Sequence, residues 1–570
     1  MWNRRLFCES EPFEIESMKT TTAISVLIAM FAAATIMNES VAATSQQRRL
    51  DAAFYNVKDF GARGDGKTLD TNAINKAIDT AAAKGGGTVF LPAGRYLCFS
   101  IRLKSHITVF LDNGATVIAA DPKTDRGSYD LPEPNEFDAY QDFGHTHWEN
   151  SLFWGIGVEN VAIVGQGKID GRGLTRRSPG PRKPRTAGET PASLGGGDKN
   201  AAAPLGETSD VKEMDGQGNK AISLKLSRNI TLKDFTIFQA GHFALLATGV
   251  DNLTIDNLRI DTNRDGLDID ACRNVTISNT FVNSPYDDAI VLKSSYALGF
   301  NRATENVTIT NSLVSAFDIG SFLDGTYKTT LAAAPDKDRP TGRVKLGTES
   351  NGGFKNIAIS NVTFVHCRGL ALETVDGGTI EDVSISNVTM RDIANSPIFI
   401  RLGARQRAPE GTPIGAIRRV NISNVVASGI SPKYSAIIAG LNGHDVEDVK
   451  LTNIRLQYKG GASADAQRAI PENENSYPEP SMFGITPSSA FYIRHARGIT
   501  FDNVEVSYDG PDARPAFVLD DAKDVEFFRT NARLSDAAKM FSLTNVLNFA
   551  VSQSRNLADT KLMKVEQKQF

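Results

Sequence analysis

Cysteine is scarce in this chain of 570 residues, which has only Cys8, Cys98, Cys272 and Cys367. No two of them have metal-ligand spacing, which excludes a zinc-built module, and a disulfide framework is not expected either. Buried free thiols are the expectation. An excess of charge of one sign is also lacking. Lysine and arginine total 62 against 66 aspartates and glutamates, a formal net charge of −4. Nothing in that balance marks a nucleic-acid footprint, and no nucleic-acid partner is expected. Long hydrophobic runs are missing as well. The apolar stretch at residues 23–34 is too short to cross a bilayer comfortably. It follows Met18-Lys19 and precedes the small-residue stretch Ser40-Val41-Ala42-Ala43, the order of a secretory signal. Translation starting at Met18, a mature chain from about Ala43, and export to the periplasm or the exterior are therefore expected, with no stable membrane span left in the mature chain.

Glycine is plentiful, with 48 residues, which suits a fold of many tight turns. Short alternating strands recur at a near-constant interval. Asn229-Ile230-Thr231-Leu232, Asn252-Leu253-Thr254-Ile255 and Asn274-Val275-Thr276-Ile277 start 23 and then 22 residues apart. Further copies run from Ile107-Thr108-Val109-Phe110 to Val525-Glu526-Phe527. A period of this length predicts a β-solenoid, each coil stacked roughly 4.8 Å above the last. Asparagines two residues beyond many of these strands, such as Asn279 and Asn361, are read as structural, bonding in register as a ladder inside the stack. Ahead of the repeats, Asp70 or Thr71 can cap a helix with Ile74, Ala77, Ile78, Ala81 and Ala82 as its apolar stripe, ended by Gly85-Gly86-Gly87. Such a helix would cover the exposed first coil. The expected layout is a signal-bearing segment at 1–43, an opening and capping segment at 44–104, the solenoid at 105–550 with loop insertions, and a tail at 551–570. Residues 172–218, 324–343, 404–416 and 458–489 break the period and are read as loops that build groove walls. By closing one end of the groove they would favour attack at chain ends. A capped solenoid is self-sufficient, so a monomer is expected.

Two acidic motifs interrupt this regularity: Asn263-Arg264-Asp265-Gly266 and Pro285-Tyr286-Asp287-Asp288. Asp265 and Asp287 lie 22 residues apart, one period, and each follows its strand landmark by 13 residues. They should share a column on adjacent coils, with Asp288 alongside and His242 one coil earlier. Clustered carboxylates repel one another and raise at least one pKa, a costly arrangement suited to acid/base chemistry. Calcium binding is the other use of such a cluster. Asp268 and Asp270 are assigned to turns. Lys293 either neutralises the cluster or is solvated, and His242 either contacts substrate or is structural.

With Val57-Lys58-Asp59-Phe60-Gly61-Ala62 and Gly165-Gln166-Gly167-Lys168-Ile169-Asp170-Gly171, these motifs resemble glycoside hydrolase family 28, the polygalacturonases and rhamnogalacturonan hydrolases. The resemblance runs from about Phe54 to Asn531. It implies an all-β, right-handed parallel β-helix and inverting hydrolysis of α-linked uronic-acid polysaccharides; a pectic polysaccharide or oligosaccharide is the expected substrate, and no metal or cofactor is expected. It makes Asp287 the general acid, its proton held by neighbouring negative charge, and has Asp265 and Asp288 activate water. Of the family's four blocks, Asn-Thr-Asp reads Asn263-Arg264-Asp265 and Asp-Asp is intact. Gly-His-Gly should fall near Pro340-Thr341-Gly342-Arg343, which has no histidine. Arg-Ile-Lys reads Ala371-Leu372-Glu373. Glu373 would repel the carboxylate that the lost cations hold on the leaving-group side, so a rhamnogalacturonan-type substrate is expected over homogalacturonan. His242, Arg264, Lys293, Glu349, Arg368, Glu373 and Arg401 are the candidate sugar contacts. A polysaccharide lyase and a non-catalytic glycan-binding solenoid are the competing readings.

Overall fold

The computed structural model describes residues 54–141, 143–177, 214–330, 340–461, 470–535, 538–555 and 557–570. The signal-like segment at residues 18–43 and most of the 172–218 insertion lie outside the described residues. What is described is a right-handed parallel β-helix. The repeat landmarks are its most regular wall. Arg228–Lys233, Asp251–Asp256 and Arg273–Ser278 pair in parallel, with Ile230 opposite Leu253 and Leu253 opposite Val275. Period-two alternation turns Leu253, Ile255, Val275 and Ile277 into the core while Thr254 and Thr276 face out.

Asparagine ladders form, but on the outside of the stack; Asn361 joins one, while Asn279 donates to Asp256 at 2.8 Å. Asn229, Asn252, Asn274 and Asn306 all have φ near +55°, a left-handed bend that asparagine tolerates. Each side-chain amide donates to the side-chain oxygen of the asparagine one coil earlier, for example Asn274 to Asn252 at 3.1 Å and Asn306 to Asn274 at 3.0 Å. A second ladder runs through Asn361, Asn387, Asn424 and Asn453.

The helix α1, Thr71–Ala83, buries Ile74, Ala77, Ile78 and Ala81 against the first strands. Asp70 precedes it, but its carboxylate accepts from the backbone N–H groups of Arg63 and Gly64 instead of capping. The stack begins earlier than residue 105, because Gly87–Leu91 already pairs in parallel with Ile107–Leu111. The tail expected at 551–570 is instead a strand, Thr560–Gln569, antiparallel to Phe541–Ser552. It covers the last parallel edge, which would otherwise offer unpaired backbone to another chain. Cys98, Cys272 and Cys367 are buried as free thiols, as expected. Among the described residues no helix is long and apolar enough to cross a membrane.

One wall carries the acidic motifs: β1 (Phe243–Thr248), β2 (Asp265–Asp270), β3 (Ile290–Ser294), β4 (Val344–Ser350), β5 (Leu370–Thr374) and β6 (Ile398–Leu402), each paired in parallel with the next.

Candidate active site

The register on this wall differs by one residue from the expected column. Phe243, not His242, lies opposite Asp265. Between β2 and β3 the offset grows to 23 residues, with Asp268 opposite Val291, and the Gly266 N–H donates to the Asp288 carbonyl. Asp265 therefore faces Asp288, because the Ser284-Pro285-Tyr286-Asp287 turn holds one residue more than a simple repeat. Asp287, at the turn, still reaches in. One carboxylate oxygen from each of Asp265, Asp287 and Asp288 lies within 4.8 Å of the others. That is closer than the roughly 6.5–9.5 Å usual for an inverting pair.

The three carboxyls differ in electrostatic setting. Burial, then the Asp287 and Asp268 charges, push Asp265 well above the usual carboxylate range. Burial works the same way on Asp287, but Arg264, Lys345 and Lys293 outweigh it and hold Asp287 below that range. The expectation that its neighbours' negative charge would keep Asp287 protonated is thus corrected. Arg264, from the middle of the first acidic block, pairs directly with Asp287, and the proton belongs to Asp265. Asp288 is also buried but held low by Lys345 and Arg343, whose Nζ and Nε lie 3.0 and 2.7 Å away.

His242 sits behind Asp265, its Nε2 3.9 Å from the carboxylate. Its Nδ1 lies 3.0 Å from the Arg176 carbonyl, which can only accept, so Nδ1 carries the proton. Burial and then Arg264 keep the ring neutral by driving its pKa well below 6.5.

Most of the other expected sugar contacts are countercharges inside the wall. Lys293 is buried, 2.8 Å from Asp268 and 3.6 Å from Glu349, and also donates to His145 Nε2. Asp268 is a strand residue rather than a turn residue, as is Asp270, which accepts from Ser295 N and Oγ at 2.7 and 2.6 Å. Glu349 lies 3.5 Å from Arg405 and 3.8 Å from Arg407. Arg368 lies 3.0 Å from Glu479. Arg401 donates to the Gly440 and Glu472 carbonyls at 2.7 and 3.0 Å, and burial lowers its pKa to about 10. Arg264 is the one partly open member of the seven.

Glu373 is fully buried between Lys345 at 3.7 Å and Arg343 at 3.8 Å, so it cannot repel a substrate from the groove. Burial outweighs those two cations and raises its pKa to about 7. The cations missing from Ala371-Leu372-Glu373 reappear one coil earlier. Lys345 lies opposite Ala371 in the ladder.

Reading the sequence missed Arg343, Lys345, His145, Tyr477 and Glu479. Arg343 and Lys345 alternate with the core residues Val344 and Leu346, a period-two signal that was available. Tyr477 and Glu479 come from the aperiodic 458–489 region, and only folding brings Tyr477 OH to 3.2 Å from Lys345 and Glu479 against Arg343.

Comparisons with known proteins accord with this fold. A family profile described as rhamnogalacturonase A/epimerase, pectate lyase-like, matches residues 54–163, and one described as a right-handed beta helix region matches 207–330. The chain is 23% identical to a probable polygalacturonase of Vitis vinifera over 70% of its own length and 73% of the relative's. It is also 23% identical to an exo-poly-alpha-D-galacturonosidase of Dickeya chrysanthemi, over 83% and 75%. Its fold matches that of the family 28 exopolygalacturonase of Yersinia enterocolitica with a TM-score of 0.56, at 20% identity, covering 83% of this chain and 78% of that one.

Proposed function

We propose that the protein is a glycoside hydrolase that cleaves α-glycosidic bonds in a galacturonate-containing pectic chain with inversion. The carrying observation is the convergence of Asp265, Asp287 and Asp288 with one proton held among them. Asp287, the most open of the three, is the acid for the leaving oxygen. It must gain the proton that Asp265 holds in the free protein. A substrate carboxylate that draws Arg264 away from Asp287 removes the main force keeping Asp287 ionised. The proton then moves between the two groups, and ionised Asp265 joins Asp288 in deprotonating water.

Inversion is favoured over a covalent route. Asp288 is held by two cations and Asp265 is buried beside His242, so neither is free to attack carbon, and water is the nucleophile. A rhamnogalacturonan-type substrate is favoured over homogalacturonan, on a ground other than repulsion by Glu373. Arg343, Lys345 and Arg368 are engaged with Asp288, Glu373 and Glu479, which suits an uncharged sugar on that side. Attack at chain ends, a monomeric state and export belong to the same proposal.

The test is a product profile on rhamnogalacturonan and homogalacturonan oligosaccharides, with the anomer first released followed by NMR. Inverted product from the former substrate is expected, and Asp287→Asn should lower kcat by at least about a thousandfold with an unchanged circular dichroism spectrum. An ultraviolet-absorbing unsaturated product would mean a lyase. Retained configuration, or near-full rate in the Asp287→Asn variant, would overturn the assignment of roles.

A further inference from the structure

Arg176 lies beside this site and has no part in the scheme above. Its backbone carbonyl is held by one hydrogen bond and the residues on either side by one each. Thr175 N donates to the Gly218 carbonyl at 2.9 Å, His242 Nδ1 to the Arg176 carbonyl at 3.0 Å, and Asn219 Nδ2 to the Arg177 carbonyl at 3.0 Å. The side chain is open to solvent, and its guanidinium rests 4.8 Å over the ring of Tyr286, the residue before Asp287. An arginine stacked on an aromatic ring from a fixed backbone gives up little rotamer freedom when it binds a ligand.

Among the described residues Arg176 makes no ion pair. Partial burial and then the nearby Arg264 cation work against its charge, while Asp287 offsets them only in part. On the opposite flank the cations are already engaged. There buried Arg343, Lys345 and Arg368 face buried Asp288 and Glu373 and the partly buried Glu479. A positive group held open beside the acid on one flank, and buried cations already paired on the other, give the groove an electrostatic polarity.

We propose that Arg176 is a specificity-determining residue that grips the carboxylate of a uronic acid bound on the His242 side of Asp287. The charged sugar of the scissile pair then lies towards β1 and the uncharged one towards β5. The inference rests on the hydrolase reading for the identity of the ligand, but not for the polarity of the groove. A guanidinium binds a carboxylate through two parallel N–H···O bonds, so Arg176→Lys should keep the charge and lose part of the grip.

The experiment compares wild type, Arg176→Gln and Arg176→Lys on a pectic oligosaccharide with free uronic carboxylates and on its methyl ester. Arg176→Gln should raise KM on the acid by roughly ten- to a hundredfold, the worth of one charge-assisted contact, with kcat little changed. Arg176→Lys should fall between the two, and on the ester all three proteins should behave alike. Equal losses on acid and ester, or no loss on the acid, would overturn the proposal. Should the wild type release no reducing ends, calorimetry with the same two ligands on wild type and Arg176→Gln still decides. Acid-selective binding that needs Arg176 leaves this inference standing while the hydrolase reading falls, and its absence removes the inference.

Discussion

Replacing Glu373 with glutamine separates two views of that residue. If Glu373 faced the groove and repelled substrate carboxylates, Glu373→Gln would speed cleavage of homogalacturonan and leave stability alone. The structure places it instead at zero exposure inside the wall, with a pKa raised from 4.5 to about 7 because burial outweighs Lys345 and Arg343. A carboxyl whose folded pKa is raised is protonated at no cost below its unfolded pKa. It costs the folded state progressively more as pH rises from 4.5 towards 7. A shift of that size is worth about 3 kcal/mol once the group is fully ionised, at 1.36 kcal/mol per pKa unit. Glutamine mimics the protonated form. Wild type and Glu373→Gln should therefore have similar urea midpoints near pH 4.5. The variant should gain steadily to about 3 kcal/mol by pH 8–9, with no gain in rate on homogalacturonan. Urea unfolding at half-unit pH steps reads this directly. A variant less stable than wild type at pH 9 would mean that Glu373 is ionised and indispensable to Lys345.

Asp265→Asn should show the same sign for the same reason. It should match wild type near pH 3.5 and be more stable at pH 7 in thermal melts, while losing turnover, and a less stable variant at pH 7 would refute a protonated Asp265. In the ladder, Asn274→Ala breaks two side-chain bonds and leaves an alanine at φ +56°, a loss of roughly 2 kcal/mol. Asn274→Gly should recover about half of that in urea melts by removing the conformational strain. Deleting residues 557–570 exposes the edge of Phe541–Ser552 and should convert the protein to larger species in light scattering. An unchanged mass and melting point would show that the closing strand is dispensable.

The coil period, the helix α1 and the acidic motifs were legible because each repeats or punctuates a local pattern. Ile230, Leu253 and Val275 announce the core by alternation, and the asparagine spacing announces the ladder. The ladder's outward position was not legible, since it depends on a left-handed bend that composition does not distinguish from an inward one. The column through Asp265 slipped because one additional turn residue before Asp288 changes register by a full residue, and a period counted from landmarks cannot see it. The electrostatic settings were the least legible. Whether Asp287 is acid or ion pair depends on Arg264, Lys345 and Lys293, and Arg343 beside Asp288 finds its counterion in a glutamate about 190 residues downstream of Asp287, and none of these repeats.

That glutamate has a consequence for when the molecule becomes competent. Chain synthesis lays down the coils from first to last, and all three aspartates are in place long before residue 479 leaves the ribosome. Until then Arg343 and Arg368 lack their shared counterion, and Lys345 lacks its phenol partner Tyr477. A nascent or nicked chain that stops near residue 450 would carry all three aspartates yet leave Arg343 and Arg368 without Glu479, so the order of the wall beside Asp288 would report on the integrity of the last coils of the stack.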